Sequence, residues 1–180
     1  MVSVVSSKVA IFSKHISKVI GFKNSPTTAP TITIQDSSSI VVQGDRFATV
    51  FLWTGASHLN TASISVENCS LFSNNSKIFS SAFLAVEGAT KISKTTFTIS
   101  DSNVEVKSSS ANARAVHVED RSILSATKVL FRNTEVSLDA AADASAMFFT
   151  GGSDIQDSST LKLTASTVTA TSSSGDVHGA

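Results

Sequence analysis

A chain of 180 residues with zero net charge and only 16% charged residues lacks the basic excess of a nucleic-acid binder, so nucleic acid is not an expected partner. It is long enough to bury one core, and a hydrophobic content of 41% is too high for a disordered Ser/Thr tract. Its single cysteine, Cys69, forms no disulfide within the chain and reads as a small buried hydrophobe, and no apolar run approaches the roughly 18 residues of a membrane helix.

Residues 1–22 come first. Val5, Val9, Phe12, Ile16 and Val19 are spaced 4, 3, 4 and 3 residues apart, which predicts one apolar face of an amphipathic helix. Lys8, Lys14 and Lys18 make the segment basic, and no acidic residue precedes Asp36. Pro26 and Pro30 end the helical pattern and mark a linker. The expectation for residues 1–30 is therefore a cap helix and linker that closes the end of a repeat array. Two other readings stay open: a degenerate earlier coil with Val9, Ile11 and Val19 in strands, and a basic membrane-surface or transit-like helix. The lysines interrupt any secretory apolar core, so no signal peptide is read here.

From residue 31 onward the chain repeats. Ile32, Ile64, Phe97, Val129 and Leu161 recur at steps of 32 or 33, and Ile34, Val66, Ile99, Phe131 and Leu163 follow two residues later. Two residues further stand Asp36, Asn68, Asp101 and Asn133, then the small Ser37, Cys69, Ser102, Thr134 and Ser166. The second half of the unit also recurs, with Phe51 and Trp53, Leu84 and Val86, Val116 and Val118, Met147 and Phe149. Polar corners follow at 54–57, 87–90, 119–122 and 150–153, each succeeded by one apolar residue: Leu59, Ile92, Ile123 and Ile155. Alternation of period two within a unit of about 32 residues predicts short strands rather than repeated helices. About three residues in ten are Ser or Thr, and Val and Ile are plentiful, which suits many short strands. The expected fold is all-β: a parallel β-helix of about four and a half coils over residues 31–180, three strands per coil, right-handed by the crossover rule, with the last coil incomplete.

Stacking places equivalent residues of successive coils side by side. Asp36, Asn68, Asp101 and Asn133 then form a structural corner ladder, because Asx residues accept the left-handed backbone a corner needs. The most polar and variable part of each unit lies between the second and third strands, at 73–77, 107–114, 139–145 and 171–176. In solenoids such insertions gather on one face, which often binds. Asn74, Lys77, Lys107, Arg114, Asp139 and Asp143 are the candidate binding residues of that loop face. Asn74 also opens an Asn-Asn-Ser sequon, open to glycosylation in a secreted chain.

Catalytic signatures are missing. Glu87 and Glu119, 32 residues apart and so neighbours on adjacent coils, are the best candidate for an acid–base couple, and their default reading is two solvated outward side chains. His117, between two apolar residues, points outward and reads as a surface histidine. No zinc spacing, phosphate loop or nucleophile elbow occurs, so no catalytic residue, metal or cofactor is assigned.

The blocks "ADASAMFFTGGS" and "STVTATSSSGDVHG" carry a further likeness. Residues 131–179, and more faintly the chain back to about residue 31, resemble repeats of the dispersed gene family proteins of trypanosomes. The resemblance implies a pectin-lyase-like β-helix at a cell surface, within a larger membrane-attached protein. The functional expectation is a non-catalytic surface scaffold for adhesion or ligand display, with glycans or matrix proteins as partners. A polysaccharide-active lyase or hydrolase, and a fragment of a larger repeat protein without independent function, are the alternatives. The open last coil also predicts end-to-end self-association, or continuation into a longer β-helix.

Overall fold

The structure is a computed structural model that describes residues 1–13, 16–28, 30–45, 47–75, 81–174 and 176–178. It is a β-solenoid whose coils each carry four strands, one more than the alternation suggested. The first coil comprises β1 (Val2–Val5), β2 (Lys8–Ser13), β3 (Ile16–Lys23) and β4 (Pro26–Thr28). The second comprises β5 (Thr31–Gln35), β6 (Ser39–Gly44), β7 (Phe47–Thr54) and β8 (His58–Asn60). The third has β9 (Ser63–Glu67), β10 (Ser70–Asn75), β11 (Ser81–Val86) and β12 (Lys91–Ser93). The fourth has β13 (Thr96–Ser100), β14 (Asn103–Ser108), β15 (Ala113–Val118) and β16 (Ile123–Ser125). The fifth has β17 (Lys128–Arg132), β18 (Glu135–Ala140), β19 (Ala144–Phe149) and β20 (Asp154–Gln156). A sixth, partial coil holds β21 (Thr160–Thr164), β22 (Thr167–Ser172) and β23 (Val177–His178).

Equivalent strands pair in parallel and form four sheets. The first runs β1-β5-β9-β13-β17-β21, the second β2-β6-β10-β14-β18-β22, the third β3-β7-β11-β15-β19-β23 and the fourth β4-β8-β12-β16-β20. The fourth strand is only three residues long, which is why it showed in the sequence as one isolated apolar residue per unit. Its buried row is Leu59, Ile92 and Leu124 rather than Ile123: the corners 87–90 and 119–122 are equally long, so Ile123 pairs with Lys91 and Leu124 with Ile92.

Among the described residues the expected N-terminal cap helix is absent: β1–β4 form the first coil, paired in register with the second. The 4-3-4-3 spacing arose by stringing together apolar residues from three different strands, Val5 in β1, Val9 and Phe12 in β2, Ile16 and Val19 in β3. Ser6 and Asn24 take φ of 46° and 51°, a left-handed backbone that ends a strand at a corner and cannot continue a helix. Parallel pairing of β1–β4 with β5–β8 gives the backbone of these strands hydrogen-bond partners, which tertiary packing rewards over a local helical pattern.

Inside the coils the predicted rows are buried. Ile32, Ile64, Phe97 and Val129 line up along the first sheet, and Ile40, Leu71, Val104 and Val136 along the second. Three corners carry a second device, inward hydroxyls that stitch one coil to the next. At the corner between the first two sheets, the backbone N–H of Ser7, Cys69 and Thr134 donates to the hydroxyls of Ser38, Ser102 and Ser166. At the other two, Thr90 N–H donates to Ser122 Oγ, and Thr127 N–H to Ser159 Oγ. These hydroxyls in turn donate to carbonyls of their own corner, as Ser38 does to Gln35 O at 2.7 Å and Thr90 to Glu87 O. Buried backbone groups that strands cannot pair are thereby satisfied, which gives the recurrent Ser and Thr at these corners a structural reason.

Glycine is required where corners stack closely. Gly88 has a φ of +68°, and a Cβ there would stand 2.8 Å from the Gly55 backbone nitrogen. A β-branched side chain meets both the strained φ and a backbone that cannot yield, so Gly88→Val is expected to cost about 2–3 kcal/mol. Urea unfolding followed by circular dichroism measures it; a midpoint equal to that of the unsubstituted chain contradicts the close corner stack.

Candidate functional site

The third sheet is buried on both faces in its middle strands. Besides the residues that point into the solenoid, Phe47, Leu52, Ala82 and Ala85 form a separate small apolar cluster. One coil further on, the register puts Arg114 beside Ala82 and His117 beside Ala85, and one coil beyond that come Ser145 and Phe148. A cation and an imidazole thus occupy positions that the preceding coil fills with alanine. Arg114 is 5% exposed and His117 4%. His117 does point outward from its sheet, but it is buried rather than the surface histidine expected. Arg114 lies with it, away from the loop face to which the sequence assigned it.

Contacts within this cluster are close. Arg114 Cζ sits 3.4 Å from the centroid of the Phe148 ring, a cation–π arrangement, and the His117 ring meets Phe148 edge-on at 5.7 Å. His117 Nε2 is 3.1 Å from Arg114 Nη1 and 2.9 Å from Glu119 Oε2. One ring nitrogen carries either a proton or a lone pair, so it cannot satisfy both neighbours. The hydrogen bond to His117 holds the Glu119 carboxyl below its usual range, against the opposing effect of burial. A carboxylate accepts only, so Nε2–H donates to Glu119 and the Arg114 approach is a contact rather than a hydrogen bond. Burial pulls Arg114 below its ordinary range, while Glu119 and Asp143 act in the opposite sense. Among the described residues, Arg114 Nε, His117 Nδ1 and Ser145 Oγ are buried without a hydrogen-bond partner.

Glu87 adjoins this network. It follows Val86 as Glu119 follows Val118, and the Glu119 N–H donates to Val86 O at 2.9 Å. Burial first, then the charges of Glu119 and Asp120, push the Glu87 carboxyl up to about 7. The pair is therefore not two equivalent solvated carboxylates. The hydrogen bond to His117 favours the carboxylate of Glu119 while burial favours the protonated form of Glu87, so the two carboxyls are pushed apart.

The loop-face residues sit elsewhere. Strands β10, β14 and β18 run further than the alternation indicated, so Asn74, Lys107 and Asp139 are strand residues, aligned in one outward row of the second sheet with Gln43 and Thr171. Lys107 Nζ is 2.7 Å from Glu105 Oε1, and Thr171 Oγ1 donates to Asp139 Oδ1 at 3.2 Å. Asp143 lies in the following corner, where its Oδ1 accepts from the Asp176 N–H and its N–H donates to Asn112 Oδ1. Lys77 lies outside the described residues. The corner ladder also takes shape: Asp36, Asn68, Asp101 and Asn133 all have φ between 47° and 60°. Asn133 Nδ2 donates to Asp101 Oδ1 at 2.7 Å, and Asn68 Nδ2 to Ser37 Oγ at 3.4 Å. This ladder is exposed, so the buried hydroxyls beside it are the stronger inter-coil link.

Among the described residues no group of three His, Cys, Asp or Glu side chains gathers as a metal site, and no helix is long and apolar enough to cross a membrane. Cys69 is buried, its thiol pushed up by burial, and donates to Glu67 O. Comparison of the chain with protein-family models, with curated proteins and with solved structures finds no match.

Proposed function

We propose that this chain is a non-catalytic β-solenoid scaffold that displays a glycan-binding surface. The observation that carries this reading is the outward polar row Gln43, Asn74, Lys107, Asp139 and Thr171 on the second sheet, kept in register over five strands. Rows of this kind present donors and acceptors about 4.8 Å apart along one axis, which suits a linear ligand of repeating polar units. The resemblance of residues 131–179 to the trypanosome surface repeats supports a place for it at a cell surface. A glycan and matrix-protein array tests the proposal. Asn74→Ala with Lys107→Ala is expected to weaken glycan binding at least tenfold, about 1.4 kcal/mol. Undiminished binding by that variant, or capture of matrix proteins alone, overturns it.

The divergent Glu87–Glu119 pair favours a second reading, cleavage of a polysaccharide with Glu119 as base and Glu87 as acid. Incubation with acidic polysaccharides then releases products, and Glu119→Gln and Glu87→Gln each abolish them. No release by the unsubstituted chain ends this reading.

A further inference from the structure

One aromatic side chain stands among polar ones on the outer face of the second sheet. In β10, Leu71, Ser73 and Asn75 turn into the solenoid, while Phe72 and Asn74 turn outward and are partly exposed. Among the described residues, the other interior strands of the first two sheets, β5, β6, β9, β13, β14, β17 and β18, place no aromatic ring outward. The core already holds Phe51, Trp53, Phe83, Phe97 and Phe131. Phe72 adds nothing to that packing.

Register sets Phe72 between Val41 and Glu105, in a central file that continues through Ser137 and Thr169. Neighbours in a file lie about 4.8 Å apart, and adjacent files about 6.6 Å, two residues of strand. On one side runs the polar row with Asn74, Lys107 and Asp139; on the other stand Asn103, Glu135 and Thr167. That second bank dips into a groove of about 560 Å³, lined also by Asp101 and Asn133. The face is thus a channel with an aromatic floor and polar banks.

Charge narrows what it takes. Glu105, Glu135 and Asp139 face outward from β14 and β18 against one cation, Lys107, whose Nζ lies 2.7 Å from Glu105 Oε1. Asp101 adds a carboxylate in the groove, where its Oδ1 accepts from Asn133 Nδ2. An acidic sugar meets repulsion here and no uncompensated cation.

We infer that the glycan is neutral, with one pyranose ring stacked on Phe72 and the hydroxyls of adjoining units bonded to Asn74 on one bank and to Glu135 and Asp101 on the other. This rests on the glycan reading above and names its ligand class. The C–H face of a pyranose is apolar and weakly positive at its hydrogens, which matches the negative face of a benzene ring. Sugar hydroxyls donate to carboxylates in charge-assisted bonds.

Calorimetric titration of the full chain tests this with neutral hexaoses of glucose, galactose, mannose and N-acetylglucosamine, and with hexagalacturonate as the acidic probe. At least one neutral hexaose is expected to bind at least tenfold more tightly than hexagalacturonate. Phe72→Ala is expected to weaken it at least tenfold, Phe72→Leu nearly as much because leucine has no flat face, and Phe72→Trp to retain it. Circular dichroism verifies the strand content of each variant. Failure of every hexaose and every array glycan to bind overturns the glycan reading and this inference together. Tighter binding of hexagalacturonate, array binding confined to acidic glycans, or a neutral hexaose held equally by the unsubstituted chain and Phe72→Ala overturns this inference alone and leaves the glycan reading standing.

Discussion

Trp53→Ala is expected to remove about 4 kcal/mol of stability, the largest loss from any single substitution considered for this chain. Trp53 is fully buried on β7, where its ring stacks on Phe22 at 5.7 Å and on Phe51 at 6.0 Å and meets Phe97 edge-on at 5.6 Å. Alanine forfeits the transfer energy of the ring, leaves a cavity between three coils, and breaks aromatic pairs worth roughly 0.5–1.5 kcal/mol each beyond their area. For a chain of this length the loss lowers the melting temperature by about 10 °C. The Trp53 Nε1–H has no hydrogen-bond partner among the described residues. Trp53→Phe is thus expected to cost about 1 kcal/mol or less, because it removes an unsatisfied donor while keeping most of the ring. Thermal unfolding followed by circular dichroism distinguishes the two, and equal losses contradict the packing described.

Raising the pH from 5 to 8 is expected to destabilise the fold, and Glu87→Gln to abolish most of that dependence. The Glu87 carboxyl lies at about 7 in the folded chain, above its ordinary value of 4.5. Between those values the folded state holds a proton that the unfolded state has released, so stability falls as pH rises. The contribution is complete below about 4.5 and lost as pH climbs through 7. The full shift corresponds to about 3 kcal/mol, and partial solvent access reduces this to about 2 kcal/mol. Glu119 acts in the opposite sense: its depressed value adds stability above the ordinary carboxylate range and loses it only in more acid solution. Urea midpoints at pH 5, 6, 7 and 8 separate the two windows. At pH 8 Glu87→Gln is expected to be more stable than the unsubstituted chain, and a decline parallel to it contradicts the assignment.

Much of the fold was legible because a solenoid repeats its inside. The rows through Ile32 and Ile34 recur with apolar residues at fixed steps, and the corner residues Asp36, Asn68, Asp101 and Asn133 recur because the backbone there is left-handed. Residues 1–30 misled because strands separated by short corners can mimic a helical spacing over five positions, and because the first coil is the least similar to the rest. Hydroxyl stitching was half visible: Ser102, Thr134 and Ser166 stood out as small, yet only the structure shows Ser102 and Ser166 accepting backbone donors from the neighbouring coil and Thr134 donating its hydroxyl to Ile99 O. The Arg114–His117–Glu119 network was the hardest to read. Arg114 and His117 stand three residues apart, a spacing that strict alternation would put on opposite faces, and what buries them includes Phe148, 31 residues beyond His117 and beside it only through the register of β15 and β19.

The claim on which the rest depends is that coils stack in register from the first residues onward, with residues 8–13 lying beside 39–44. Disulfide trapping tests it directly, since neighbouring parallel strands place paired Cα atoms about 4.8 Å apart, within reach of a disulfide. Ala10 and Val41 are such a pair on the outer face of the second sheet, and Gln43 stands two residues out of register. The double variant Ala10→Cys with Val41→Cys is predicted to cross-link under mild oxidation, and Ala10→Cys with Gln43→Cys to stay reduced. Equal trapping of both pairs, or none of the in-register pair in a folded chain, contradicts the stacked first coil.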